Sequence, residues 1–154
     1  GNSANFGGAL NNSASFGSKP AAIATLDHCT LSGNTATFTG QILNQNDAQV
    51  TLIGTVVNGD NNCSGNAPTL DGGANFSSDG SCSGAAILTG FDATLRANGG
   101  PTLPHALLPG SNAIDAGGAC ALATDARDVA RDGHCDSGSY EFSDAIFRNG
   151  FEAP

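Results

Sequence analysis

The sequence predicts an all-β fold of the parallel β-solenoid class, and three observations carry that expectation. The 154 residues include 22 glycines but no methionine or tryptophan, only 12% are charged, and short β-branched bursts alternate with turn residues. "ATLDHCTLSGN" (24–34) sets over "VTLIGTVVNGD" (50–60) at an offset of 26 residues, with Leu26 on Leu52, Leu31 on Val57 and Gly33 on Gly59. "GNSANFGGALNN" (1–12) matches "GNTATFTGQILNQ" (33–45) at an offset of 32 to 33, with Phe6 on Phe38 and Gly8 on Gly40. Repeats of this length without a helical period suit stacked turns of chain, each holding three short strands about 4.8 Å above the last. A β-sandwich would prefer two-residue hairpins and would leave the repeat unexplained.

The length suits one domain. Residues 1–95 read as coils, 96–142 as a C-terminal capping segment and 143–154 as a tail. Within the coils, residues of like type should stack in ladders, with Phe6 and Phe38 in the core. Asn34, Asn44, Asn46 and Asn58 suit bends that need left-handed backbone angles. Gly1 falls inside a repeat, equivalent to Gly33, so the first coil is expected to present an open edge at Phe6 and Leu10.

A net charge of −9 on five Lys plus Arg excludes the basic footprint of nucleic-acid binding or of attachment to an anionic membrane. No segment approaches the roughly 20 apolar residues of a membrane span, so no insertion is expected. The polar opening holds no signal peptide, and the expectation is a soluble chain, processed or cut from something longer.

The five cysteines lack the paired C-x-x-C clusters of a structural zinc site. Neighbour pairing joins Cys63 to Cys82 and Cys120 to Cys135, leaving Cys29 as a reduced, buried thiol acting as a small hydrophobe. Two bridges imply an oxidising compartment and hence secretion. The stretch "GGPTLPHALLPGSNAIDAGGAC" (99–120) then reads as a cap over the end of the stack. Pro101, Pro104 and Pro109 stop strand addition, Leu103, Leu107, Leu108 and Ile114 plug the core, and His105 bonds backbone. The Cys120–Cys135 bridge staples the cap.

Chemistry is weakly signalled. "TDARDVARDGHCD" packs Asp125, Asp128, Asp132, His134 and Asp136 around Arg127 and Arg131. A calcium loop would need a D-x-[DN]-x-[DN]-G pattern that is missing, and an Arg–carboxylate network ordering a polar loop accounts for the composition. No cofactor and no resident metal is implied. A polysaccharide lyase needs a base beside acids, but the coils offer only Lys19, His28 and Arg96. A hydrolase needs converging carboxylates, but Asp27 aligns with Ile53, and Asp47 and Asp60 are the other candidates. No G-x-S-x-G occurs. The expectation is a chain without catalytic residues.

Residues 60–142 carry a more specific likeness. "NCSG" (62–65), "NFSSDGSCSG" (75–84), "NGGPTLPHALLPGSNAIDAG" (98–117), "TDARDVAR" (124–131) and "CDSGSYEF" (135–142) resemble, in order and spacing, the C-terminal region of a family of bacterial secreted and surface proteins. These are right-handed parallel β-helices of the choice-of-anchor or polymorphic-outer-membrane-protein-like kind. The resemblance implies a right-handed β-helix at the bacterial cell surface and places Asp125, Arg127, Arg131 and Asp136 on the family's motif. Asp128 stands where the family carries glycine. "IFRNGFE" (146–152) is similar to a short C-terminal signature on secreted proteins of gammaproteobacteria.

The function expected from all this is non-enzymatic, structural or adhesive. A subunit could assemble head-to-tail into filaments through Phe6 and Leu10 of the open coil and Ile146, Phe147 and Phe151 of the tail. The alternative is a carbohydrate-binding or polysaccharide-degrading module, with a surface glycan as partner. A Thr-x-Thr ice-binding ladder is broken, because "TATFT" (35–39) is matched by "SANFG" (3–7).

Overall fold

The computed structural model describes residues 1–14 and 22–143. Their strands are β1 (Ser3–Ala4), β2 (Leu10–Ser13), β3 (Ile23–Asp27), β4 (Thr30–Ser32), β5 (Thr35–Ala36), β6 (Ile42–Gln45), β7 (Gln49–Ile53), β8 (Val56–Asn58), β9 (Cys63–Gly65), β10 (Thr69–Asp71), β11 (Phe76–Ser77) and β12 (Ala86–Ile87). The fold is all-β, with no helix among the described residues. The strands form four separate sheets, in the orders β1-β5, β2-β6-β9, β3-β7-β10 and β4-β8-β11-β12. Every strand pair is parallel.

Both offsets visible in the sequence recur as strand registers. Leu26 faces Leu52 and Leu31 faces Val57, while Ser3 faces Thr35 and Leu10 faces Ile42. Side chains on a strand alternate in direction, so one register aligns a whole face at once. Ala24 and Leu26, Val50 and Leu52, and Leu70 thus reach one apolar cluster with Ile42, Val57 and Cys82. Thr25, Thr51 and Thr69 align on the other side of the same three strands. Asparagines stack as well, with Asn12 Nδ2 donating to Asn44 Oδ1 at 3.2 Å and Asn2 Nδ2 to Asn34 Oδ1 at 3.0 Å.

The run Val56–Val57 breaks the alternation. Val57 belongs to the cluster with Leu52, whereas Val56 joins Phe76, Leu88, Leu107 and Ala113 in a second one. The β4-β8-β11-β12 sheet therefore carries apolar side chains on both faces, and a two-faced sheet needs a second cover. The C-terminal segment supplies it. Phe91, Ile114, Ala116, Tyr140 and Phe142 pack on the second cluster. Ala116 O accepts from Ala74 N at 2.7 Å, Ser137 Oγ donates to Ala74 O at 2.6 Å, and Gly138 N donates to Gly54 O at 2.7 Å. Ser139 N reaches Thr30 Oγ1 of β4 at 2.9 Å.

This placement extends the expected cap. The segment crosses a sheet face from β12 to β4 and also borders the last strand, where Asn112 Nδ2 donates to Ile87 O at 2.8 Å. Leu107 and Ile114 pack as anticipated, but Leu103 and Leu108 are exposed. Glycine is required where the segment meets β4. Gly138 has φ +96°, and a Cβ there would sit 2.7 Å from Thr30 Oγ1.

Two other expectations change. Phe6 and Phe38 are 48% and 65% exposed and stack on each other, ring centroids 4.8 Å apart, because each lies beyond the end of its two-residue strand. Of the four asparagines assigned to left-handed bends, only Asn46 has positive φ. Asn44 and Asn58 sit within strands and bond along the stack, and the left-handed bends fall on His28 and Asn61 instead.

Candidate functional site

The densest polar constellation among the described residues lies in the segment covering that second face. Asp125 stands at its centre. Its Oδ2 accepts from Arg127 Nε at 2.8 Å and from Glu141 N at 2.9 Å, and its Oδ1 accepts from the amides of Arg127 and Val129. Burial pushes its carboxyl up, but the Glu141 amide and the Arg127 side chain and amide outweigh it and hold the group below the usual range. Arg127 also donates to the carbonyls of Asn98 and Glu141, and its guanidinium lies 3.8 Å over the Tyr140 ring.

Arg131 forms the second half. Its Nη1 donates to Glu141 Oε2 at 2.8 Å and to Asp136 O, and its Nη2 to Gly138 O, while Nε is buried without a partner. Glu141 takes two further donors, the amides of Asp136 and Asp132. Asp136 accepts from the amides of Asp115 and Phe142. Burial drives the Asp136 carboxyl up to about 6; those two amides oppose the rise, and the charges of Glu141 and Asp115 add to it. Every carboxylate oxygen of Asp125, Asp136 and Glu141 accepts from a protein donor, so the arrangement holds loops together.

The four positions expected from the sequence, Asp125, Arg127, Arg131 and Asp136, converge, and Glu141 joins them unforeseen. Its signal was faint: one acid in "CDSGSYEF", downstream of two arginines and their nearby acids. Asp128 adopts φ +66°, the left-handed backbone that a glycine accepts freely. Cys120 and Cys135 are bridged beside the network, and Cys63, the first residue of β9, is bridged to Cys82. The bridges indicate an oxidising environment.

The remaining candidates do not assemble. Asp27 ends β3 while Asp47 and Asp60 lie in two different bends, and Asp27 instead takes His28 Nδ1 at 2.6 Å. Cys29 is free and half-buried, its thiol pushed up by burial, with its Sγ against Asp27 O. His105 Nδ1 meets the Asp92 carbonyl at 3.0 Å, a backbone bond as anticipated. Arg96 pairs with Asp92. Asp79 is the strongest turn device outside the network. Burial pushes its carboxyl up, but the Ser81 and Asn62 amides and the Ser81 and Ser77 hydroxyls pull it down to about 2. Among the described residues no three His, Cys, Asp or Glu side chains converge as metal ligands, and no helix is long and apolar enough to cross a membrane. Lys19, Ile146, Phe147 and Phe151 lie outside the described residues.

Leu10 is half-buried and packs on the first cluster. With Leu26, Cys29, Leu31 and Leu95 it lines a groove of about 470 Å³ along the first strands of the sheets. A second, polar recess of about 300 Å³ lies beside β5, between Thr35, Gly59, Asp60 and Asn61. No protein-family model, curated protein or solved structure matches the chain.

Proposed function

We propose that the chain is a non-catalytic structural element of an extracellular bacterial surface, a right-handed parallel β-solenoid with a disulfide-stapled flank. One observation carries the reading: every strand pair is parallel, and two of the sheets carry apolar ladders, Leu26 on Leu52 on Leu70 and Leu31 on Val57. A solenoid gives length and stiffness from short repeats, and its core consists of such ladders. The buried charges support the same role, because Asp125, Asp136 and Glu141 spend their acceptors on backbone amides and guanidinium groups of their own segment. The likeness of residues 60–142 to secreted and surface β-helices supports the location.

The test is incubation with acidic polysaccharides such as polygalacturonate and alginate, followed by product analysis. Unchanged polymer is expected, and turnover abolished by Asp27→Asn would overturn the reading. The exposed Phe6–Phe38 stack favours a glycan contact as the second reading, since exposed aromatic faces are what sugars pack against. Glycan-array binding that disappears in Phe38→Ala would favour that alternative.

A further inference from the structure

Two successive passes of the chain differ in length, and the difference opens a recess between them. From the pair Ser32 with Asn58 to the pair Ile42 with Cys63, one pass carries nine residues, 33–41, and the next carries four, 59–62. The pass before matches the longer one, since Ser3 on Thr35 and Leu10 on Ile42 keep a single step. The short pass therefore lacks the residues that would lie beside β5, and the β1-β5 sheet stops at two strands while its neighbours continue to three or four. Thr35 and Thr37 give their amides to Asn2 O and Ala4 O on the β1 side. By strand alternation Ala36 turns its own amide the other way, toward the recess that it lines.

Phe38 stands on the loop between Ala36 and Gly40, both of which line the recess. Phe6 covers one face of its ring from the β1 side, with centroids 4.8 Å apart and planes 14° from parallel. The ring is still 65% exposed, so its opposite face, on the side of the short pass, is open. Buried Gln41 ties the two passes together, accepting from Asn34 Nδ2 at 2.6 Å and donating to the carbonyls of Asn34 and Asn58. The hydrogen bonds of the short pass are made by Asn58, Gly59 and Asn62. That leaves the exposed Asp60 carboxylate and Asn61 side-chain amide without a partner among the described residues.

We propose that this recess binds a neutral polysaccharide, with one sugar ring laid on the open face of Phe38 and its hydroxyls bonded by Asp60, Asn61 and the Ala36 amide. The chemistry selects the ligand. A hexose pairs an apolar C–H face with a rim of hydroxyls, and the recess offers an apolar ring face beside unengaged polar groups. Its volume of about 300 Å³ is at the small end of ligand pockets. A peptide strand would gain little from an edge of two residues. An acidic glycan would meet Asp60 in a chain of net charge −9. The inference deepens the glycan contact named above and rests on it, and it leaves the structural role untouched.

Amide NMR of the oxidised chain tests it, by titration with cellohexaose, maltohexaose, mannohexaose and hexagalacturonate, each to about 10 mM, roughly ten times a millimolar Kd. The expected result is movement of the Ala36, Gly40, Gly59 and Asn61 amides with at least one neutral sugar and none with hexagalacturonate. Phe38→Ala should abolish the shifts, and Asp60→Ala, a change at an exposed side chain, should weaken binding about tenfold with the urea midpoint unchanged. No shift with any neutral sugar would overturn this site and the glycan contact together. Binding lost in Phe38→Ala but unmoved by Asp60→Ala, or a preference for hexagalacturonate, would overturn the site and leave the contact standing. Shifts of the same amides with protein concentration alone would mark a second copy as the occupant and overturn it as well.

Discussion

Glu141→Ala is the sharpest perturbation of the flank. Glu141 is 3% exposed, and its carboxylate receives Arg131 Nη1 at 2.8 Å, Asp136 N at 3.1 Å and Asp132 N at 3.3 Å. Alanine leaves three donors without that acceptor, one of them a guanidinium whose side chain is 1% exposed and whose Nε already lacks a partner. Removing one member of a buried ion pair costs about 3–5 kcal/mol, a large part of the ~5–15 kcal/mol that holds a domain together. With a urea slope of about 2 kcal/mol/M, the midpoint should fall by about 2 M. Tyr140 is the single tyrosine and there is no tryptophan, so intrinsic fluorescence reports the flank directly, from beneath Arg127. Far-UV circular dichroism follows the strands in parallel. A loss below about 1 kcal/mol would refute the claim that the network fastens the segment to the sheet.

Three further outcomes are expected. The Asp136 carboxyl, raised to about 6 in the fold against ~3.9 unfolded, makes the folded state the stronger proton binder, so its contribution to stability falls as pH rises between those values. Asp79, lowered to about 2, acts oppositely and loses its contribution as pH falls below ~4. The urea midpoint should therefore rise from pH 7.5 to about 5 and then drop in stronger acid; a steady decline from pH 7.5 downward would contradict this. Gly138→Ala should cost about 1–3 kcal/mol, since it combines a φ of +96° with a clash against Thr30, and a neutral result by thermal unfolding would contradict the close approach. Opening the 15-residue Cys120–Cys135 loop with paired serines should cost about 3 kcal/mol, read as an earlier fluorescence transition of Tyr140 than of the strand signal. Coincident, unshifted transitions would contradict it.

The repeating half of the chain was legible because stacking demands like residues at one step. Leu26 over Leu52 and Gly8 over Gly40 are visible in the sequence for the same reason that they meet in space. What escaped was extent. Proline-rich, glycine-rich chain with scattered leucines suits a cover, but nothing in "GGPTLPHALLPG" says that the cover also crosses a face. The clue lay elsewhere, in Val56–Val57, where two adjacent apolar residues ask for partners on both sides. Phe6 and Phe38 were misplaced because their strands are too short to impose a period of two. The Arg–carboxylate positions were legible as a dense motif. Glu141 was not, because a single acid gives no sequence pattern for the arginines it will meet.

The account stands on parallel stacking, and solution NMR tests it most directly through cross-strand backbone contacts. It predicts amide and Cα proton contacts linking Thr25 to Thr51 to Thr69, and Thr30 to Val56 to Phe76 to Ala86. Close Cα–Cα proton contacts between β7 and β8, or between β3 and β4, would mark antiparallel hairpins and contradict it.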